Sequence, residues 1–251
     1  MLSQAIWWSC IALECFLLAR GVLGRLIVRY PVFYGYILFV ATQSVLRSVV
    51  HRWYYDQFYF SVYWVTEFLG LVLGCLIVFE IYRVALAGYP GTARMARKIL
   101  LFLFVLALAK AGAAFAGDPH LLTDTTPLQM ERTLRTAQAI SIGALVMVFA
   151  AYSIPFGKNL RGILLGYGLF IGERVICLTF VPVSGEDFWF YAYSGSYLMA
   201  LGLWLGHLWC YQAIPATERN APLDKEYQLI AAATRRHLQD ARGFLRKAMG
   251  S

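Results

Sequence analysis

Seven ionisable side chains lie within apolar stretches of this chain: Glu14, Arg47, Glu67, Lys110, Arg135, Glu173 and Arg174. A charge at the centre of a membrane helix costs about 2.5–3.5 kcal/mol on insertion scales, so such groups face a partner or a water-filled cavity rather than lipid. Carboxylates and basic groups gathered at one depth can pair, hold a polar or anionic small molecule, or relay protons. They can also neutralise one another and fix helix packing without binding anything. Six of the seven, Glu14, Arg47, Glu67, Lys110, Glu173 and Arg174, are the candidate ligand-binding residues. Arg135 falls close to the outer boundary of its stretch.

Depth along a helix sharpens this set. At 1.5 Å per residue, Glu67 lies about 13 Å into the third stretch from its outer end, and Lys110 about 18 Å into the fourth from its inner end. Both reach a level slightly outside the midplane. Glu14 falls near that level, and Glu173, Arg174 and Arg47 lie closer to the outer face. The expectation is an outward-facing polar cavity organised by Glu67 with Lys110 and by carboxylate–arginine pairs drawn from Glu14, Glu173, Arg47 and Arg174. Adjacent Glu173 and Arg174 point about 100° apart on a helix, so at most one faces a given cavity wall.

The elements that must position these groups follow from composition. The chain is 60% hydrophobic and 14% charged, against about 45–50% and about 25% in soluble domains. A bilayer core of about 30 Å needs about 20 helical residues per crossing. Spans are expected near 4–24, 31–51, 58–82, 98–116, 133–154, 160–182 and 188–213. This is an all-α integral membrane protein with seven transmembrane helices in 1–214 and a cytoplasmic tail in 215–251. Barrel strands are disfavoured, because runs such as Ile99 to Ala109 lack apolar and polar alternation. The first span has no basic leader, and Glu14 and Arg20 interrupt it, so it reads as an uncleaved helix rather than a signal peptide.

Charge sets the orientation. Arg25, Arg29, Arg83, Arg94, Arg97, Lys98, Lys158 and Arg161 occupy the loops after spans one, three and five. The opposite loops carry Arg52 and Arg132 against Asp56, Asp118, Asp124, Glu131, Glu186 and Asp187. Counting lysine and arginine, the positive-inside rule puts the N-terminus outside and the C-terminus in the cytoplasm. The net charge of +8 is therefore accounted for by insertion, and nucleic acid is not an expected partner. The simple loops fit a bacterial inner membrane.

The chain resembles itself. Gly35-Tyr36-Ile37-Leu38-Phe39-Val40-Ala41 matches Gly166-Tyr167-Gly168-Leu169-Phe170-Ile171-Gly172. Phe58-Tyr59-Phe60 and Tyr63 match Phe188-Trp189-Phe190 and Tyr193 at nearly the same offset. Spans one to three and five to seven then read as parallel repeats, with span four as the inverting linker. The first and fifth spans match poorly, and chance similarity of aromatic-rich helices is the alternative. The three-plus-one-plus-three plan resembles that of opsins and of the small seven-helix sugar carriers, in architecture alone. Phe188 to Ile214 holds no lysine for retinal, and no Pro-Gln pair occurs anywhere in the chain.

Other chemistry has little purchase. His51, His120 and His207 sit at unmatched depths for a haem. Zinc, phosphate-loop and nucleophile-elbow motifs do not occur. No metal, cofactor or enzymatic activity is expected. The five cysteines fall inside spans, which disfavours a disulfide framework. Gly70-x-x-x-Gly74, Gly168-x-x-x-Gly172 and Gly202-x-x-x-Gly206 are faces on which spans three, six and seven can approach one another or a partner. Trp7, Trp8, Trp53, Tyr54 and Tyr55 are interface anchors.

After Pro215, apolar residues from Tyr227 to Met249 recur at helical spacing among Arg235, Arg236, Arg242, Arg246 and Lys247. That is an amphipathic helix suited to anionic lipid on the cytoplasmic leaflet, or to a protein partner. The expected function is a receptor-like sensor or regulatory membrane subunit with a polar ligand site in the outer half of the bundle. The alternatives are a small-solute carrier and a structural subunit of a larger membrane complex.

Overall fold

The computed structural model describes residues 2–53, 56–88, 90–117, 125–151, 157–184 and 186–212, with 229 and 232. Among the described residues the chain is all-helical, with eight helices and no strand: α1 (Leu2–Leu23), α2 (Leu26–Arg29), α3 (Pro31–Trp53), α4 (Asp56–Ala85), α5 (Pro90–Gly117), α6 (Thr125–Ala151), α7 (Lys158–Ser184) and α8 (Glu186–Leu208). The tail helix expected after Pro215 lies outside the described residues, apart from Leu229 and Ala232, which are helical. Among the described residues, five helices are long and apolar enough to cross a membrane, over Gln4–Leu23, Pro31–Val50, Val62–Ala85, Met130–Ala150 and Lys158–Phe180. Large apolar side chains also face outward, with Leu23 78% and Phe102 70% exposed. Such surface, spread over several helices, points to a bilayer environment rather than water.

Six of the seven long helices form a closed ring. α1 packs against α3, α3 against α4, α4 against α6, α6 against α7, α7 against α8, and α8 against α1. α5 packs against α4 and α6 from outside that ring. Its residues Leu101, Phe102, Val105 and Leu106 are all exposed.

Local chemistry fixes the joints. Arg25, at φ 52° the one described non-glycine residue with positive φ, separates α1 from the short turn α2. Proline opens both α3 and α5, where its missing N–H would have no helical partner anyway. The next two amides of α3 are satisfied from another helix: Val32 and Phe33 donate to the buried Glu80 carboxylate of α4 at 3.0 and 2.8 Å. A carboxylate there complements the partial positive charge of the helix start. Asn159, at the start of α7, ties down the end of α8. It donates to the carbonyls of His207 and Cys210, both at 3.0 Å, and accepts from the Gln212 amide at 2.7 Å.

The α7–α8 seam uses a glycine pair other than the expected one. A Cβ at Gly162 would strike His207, and one at Gly166 would strike the Trp204 indole. These glycines, four apart, let the fully buried Trp204 lie against α7 and donate to the Ile163 carbonyl at 3.3 Å. Gly172, Gly202 and Gly206 have nothing within 4 Å of a built Cβ, and Gly168 meets only Ile142, at 3.6 Å. Gly74 does pack closely, against Tyr167 and Gln138.

Gly166→Val is expected to cost about 1–3 kcal/mol through overpacking, read as a lower melting temperature in detergent, while Gly202→Ala leaves the melt unchanged. Equal melts for the two variants would contradict this seam. Glu80→Ala should cost about 1–2 kcal/mol through loss of the α3 cap, visible as faster amide exchange at Val32 and Phe33.

Candidate functional site

A cavity of about 250 Å³ lies inside the ring, at the end holding the first halves of α1, α4 and α8 and the last half of α3. Every ring helix contributes to its wall. α1 presents Trp7, Cys10 and Glu14, and α3 presents Tyr36, Gln43, Ser44 and Arg47, each set at helical spacing. α4 adds Glu67 and Gly70, α6 adds Arg135, α7 adds Phe170, and α8 adds Tyr193, Ser194 and Tyr197. No described residue of α5 lines it.

The electrostatic feature of this wall is an alternating chain of ions. Arg47 Nη2 lies 3.2 Å from one Glu67 oxygen, and Arg135 Nη2 lies 3.1 Å from the other. Arg135 Nε stands 3.5 Å from a Glu131 oxygen that also takes a 2.8 Å bond from Arg174 Nε. The sequence Arg47, Glu67, Arg135, Glu131, Arg174 thus runs across α3, α4, α6 and α7, each carboxylate shared between two guanidinium groups. Charge-assisted bonds of this kind are roughly twice as strong as neutral ones, which suits groups removed from water.

Neutral groups complete the coordination. Arg47 donates to the Thr66 hydroxyl at 2.7 and 2.9 Å and to the Tyr63 carbonyl at 2.9 Å. With its amide oxygen turned toward Arg47, Gln43 accepts from it at 2.6 and 2.9 Å. The guanidinium groups also lie over aromatic rings: Arg47 over Tyr63 at 4.2 Å, Arg174 over Tyr193 at 4.5 Å and Arg135 over Phe170 at 5.3 Å. Cation–π contacts of this kind strengthen where water is excluded.

The six candidate residues separate on this geometry. Glu14, Arg47 and Glu67 share the cavity wall. Arg174 is one turn removed, in the ion chain through Glu131. Glu173 points elsewhere, with Ser196 donating to it at 3.1 Å. The two neighbours diverge as helix geometry requires, and neither lines the cavity. Lys110 belongs to α5, outside the ring, and its side chain lies outside the described residues. The expected Glu67–Lys110 pairing thus falls outside the described residues; Glu67 is held by Arg47 and Arg135, and Glu14 pairs with the Tyr197 hydroxyl at 2.6 Å rather than with an arginine.

Arg135 and Glu131 are additions to the set. Glu131, assigned to a loop from the apolar boundary, lies inside α6 and is 2% exposed. The signal was present in the sequence. Glu131, Arg135, Gln138 and Ser141 fall at i, i+4, i+7 and i+10, one polar face of a helix. Gln138 continues the column below Arg135, donating to the Leu71 carbonyl at 3.1 Å and accepting from the Tyr167 hydroxyl at 3.2 Å.

Beneath the cavity the bundle is closed. Leu17, Phe33, Tyr34, Ile37, Leu71, Tyr167 and Trp204 are all fully buried. Phe33 meets Trp204 edge to face with centroids 5.1 Å apart, and Tyr36 meets Tyr167 at 6.1 Å and 88°. No protein family, curated protein or solved structure matches this chain.

Glu67→Gln leaves two buried arginines short of a counter-charge and is expected to cost about 3–5 kcal/mol, read as a large fall in melting temperature. Adding Arg135→Gln should restore part of that loss, as residues in one network couple. Additive effects of the two substitutions would show that the ion chain does not act as a unit.

Proposed function

We propose that this chain is a receptor-like, seven-helix membrane sensor or regulatory subunit that binds a compact polar solute in the outer half of its bundle. The observation that carries this reading is the chamber itself, with Glu14, Arg47, Glu67 and Arg135 among its lining, walled by all six ring helices and underlain by a fully buried layer. A closed floor fits a site that holds its occupant and reports it. Because the wall is shared among six helices, a ligand that fits one helix arrangement better than another shifts the balance between them.

On this reading α1 and α3 to α8 are seven spans in a bacterial inner membrane, with the N-terminus outside and the C-terminus inside. The lysines and arginines after the first, third and fifth spans support that orientation. The tail in 215–251 then lies where anionic lipid or a cytoplasmic protein can receive the signal.

The ring gives specific support to a second reading, a small-solute carrier of two three-helix halves. Exchanging α1, α3 and α4 for α6, α7 and α8 maps the six contacts around the ring onto one another, as a two-fold pair of parallel repeats requires, while the packing of α4 against α7 has no equally close counterpart between α8 and α3. Tyr36 and Tyr167, matched in the internal comparison, meet between the halves. Each half also lays an arginine of its middle helix over a tyrosine of its last, Arg47 on Tyr63 and Arg174 on Tyr193.

The test is a thermal-unfolding screen of the purified full-length protein in mild detergent against small polar metabolites. A solute at 100 times its Kd adds about 2.7 kcal/mol of apparent stability, which at about 2–4 °C per kcal/mol is a shift of several degrees. Gly70→Leu, which fills the chamber, is expected to abolish the shift. Persistence of the full shift in that variant would remove the cavity as the site. Saturable uptake of the same solute into proteoliposomes would decide for the carrier.

A further inference from the structure

We infer that the cavity takes a compact zwitterion, an amino-acid-like solute whose carboxylate meets the guanidinium wall of Arg47 and Arg135 and whose ammonium meets Glu14. The inference rests on the sensor reading and names the ligand class of that same site.

Charge counting is the first support. The ion chain holds three arginines and two glutamates, a formal sum of +1. Glu14 lines the same chamber from α1. Among the described residues no basic side chain forms an ion pair with it. The chamber therefore presents surplus positive charge on one wall and a lone carboxylate on another. An anion alone would leave Glu14 uncompensated, and a cation alone would leave the arginine surplus uncompensated.

Open hydrogen-bonding capacity is the second support. Arg135 is 4% exposed and Glu14 1% exposed. Arg135 Nη1 has no hydrogen-bond partner, and its Nε has only the 3.5 Å ion contact to Glu131. Glu14 uses one oxygen on Tyr197, and its Oε2 has none. A buried group left in this state destabilises the protein, and an arriving group of opposite character removes that penalty. A ligand carboxylate accepts two or more N–H bonds, and an ammonium donates to a carboxylate oxygen.

Size is the third. The cavity of about 250 Å³ equals about eight times the ~30 Å³ that each water occupies in the liquid. It is smaller than the roughly 300–1,000 Å³ of sites for drug-sized ligands. A charged head at each side and a short side chain against Trp7 and Tyr193 fit that space.

The probes are the twenty common amino acids, tested singly on the full-length protein in detergent by thermal unfolding. Each stabilising one is then compared by titration calorimetry with the matching carboxylate lacking the amine and the matching amine lacking the carboxylate. Both analogues are expected to bind at least tenfold more weakly. Glu14→Gln is expected to bring the amino acid down to the level of its des-amino carboxylate, and the analogue comparison on the wild type stands whether or not that variant folds. A des-amino carboxylate within twofold of its amino acid would overturn the zwitterion. So would a set of hits, all sensitive to Gly70→Leu, that contains no amino acid, and the sensor reading would then stand without it. Hits indifferent to Gly70→Leu, or none from either screen, would take down both.

Discussion

The sharing of two buried carboxylates, Glu67 and Glu131, each between two guanidinium groups, is the constraint on which this bundle turns. Glu67 spends one oxygen on Arg47 and the other on Arg135, and Glu131 is divided between Arg135 and Arg174. Four helices are thereby tied together by ionic groups, and Arg47, Glu67 and Arg135 of that chain line the chamber. Because neither glutamate can satisfy one arginine fully without releasing another, the positions of α3, α4, α6 and α7 are mutually dependent.

The opposite half of the bundle is built on different physics. There the helices approach through glycine, with Trp204 seated against Gly166 and Tyr167 against Gly74, and their ends are held by side chains from neighbours. Glu80 holds the start of α3, and Asn159 the end of α8. Arg20 donates to the Trp209 carbonyl at 2.7 Å, joining the end of α1 to the segment after α8. A dry, clamped half beneath a polar, ion-tied half is an arrangement in which change at the top has a firm base to act against.

Much of this was legible in the sequence, for reasons that also explain the rest. The long helices were visible because apolar length reports directly on what lipid requires. Their starts were not, since hydrogen bonding carries a helix past its apolar limit: α6 begins at Thr125 and α5 at Pro90, eight residues before the expected spans. That shift concealed Glu131. Depth arithmetic brought Glu14 and Glu67 to one level with Arg47 nearer the outer face, and all three line the cavity. Partner choice stayed hidden because depth says nothing of rotation about the helix axis, and rotation turns Glu173 to Ser196 and Arg174 to Glu131. The glycine seam shows the same limit. Gly162 and Gly166 were as visible as Gly202 and Gly206, and only the facing side chains distinguish them.

The meeting of Tyr36 with Tyr167 has one more consequence. Two rings at 88° play unlike roles, one offering its edge and the other its face. The two matched tyrosines are held by different surroundings. Tyr167 is locked to Gln138 and seated against Gly74, while Tyr36 looks into the chamber. One matched tyrosine is thus fixed in the packed layer and the other is open to the cavity, and a movement that treated the two halves alike would have to change this contact.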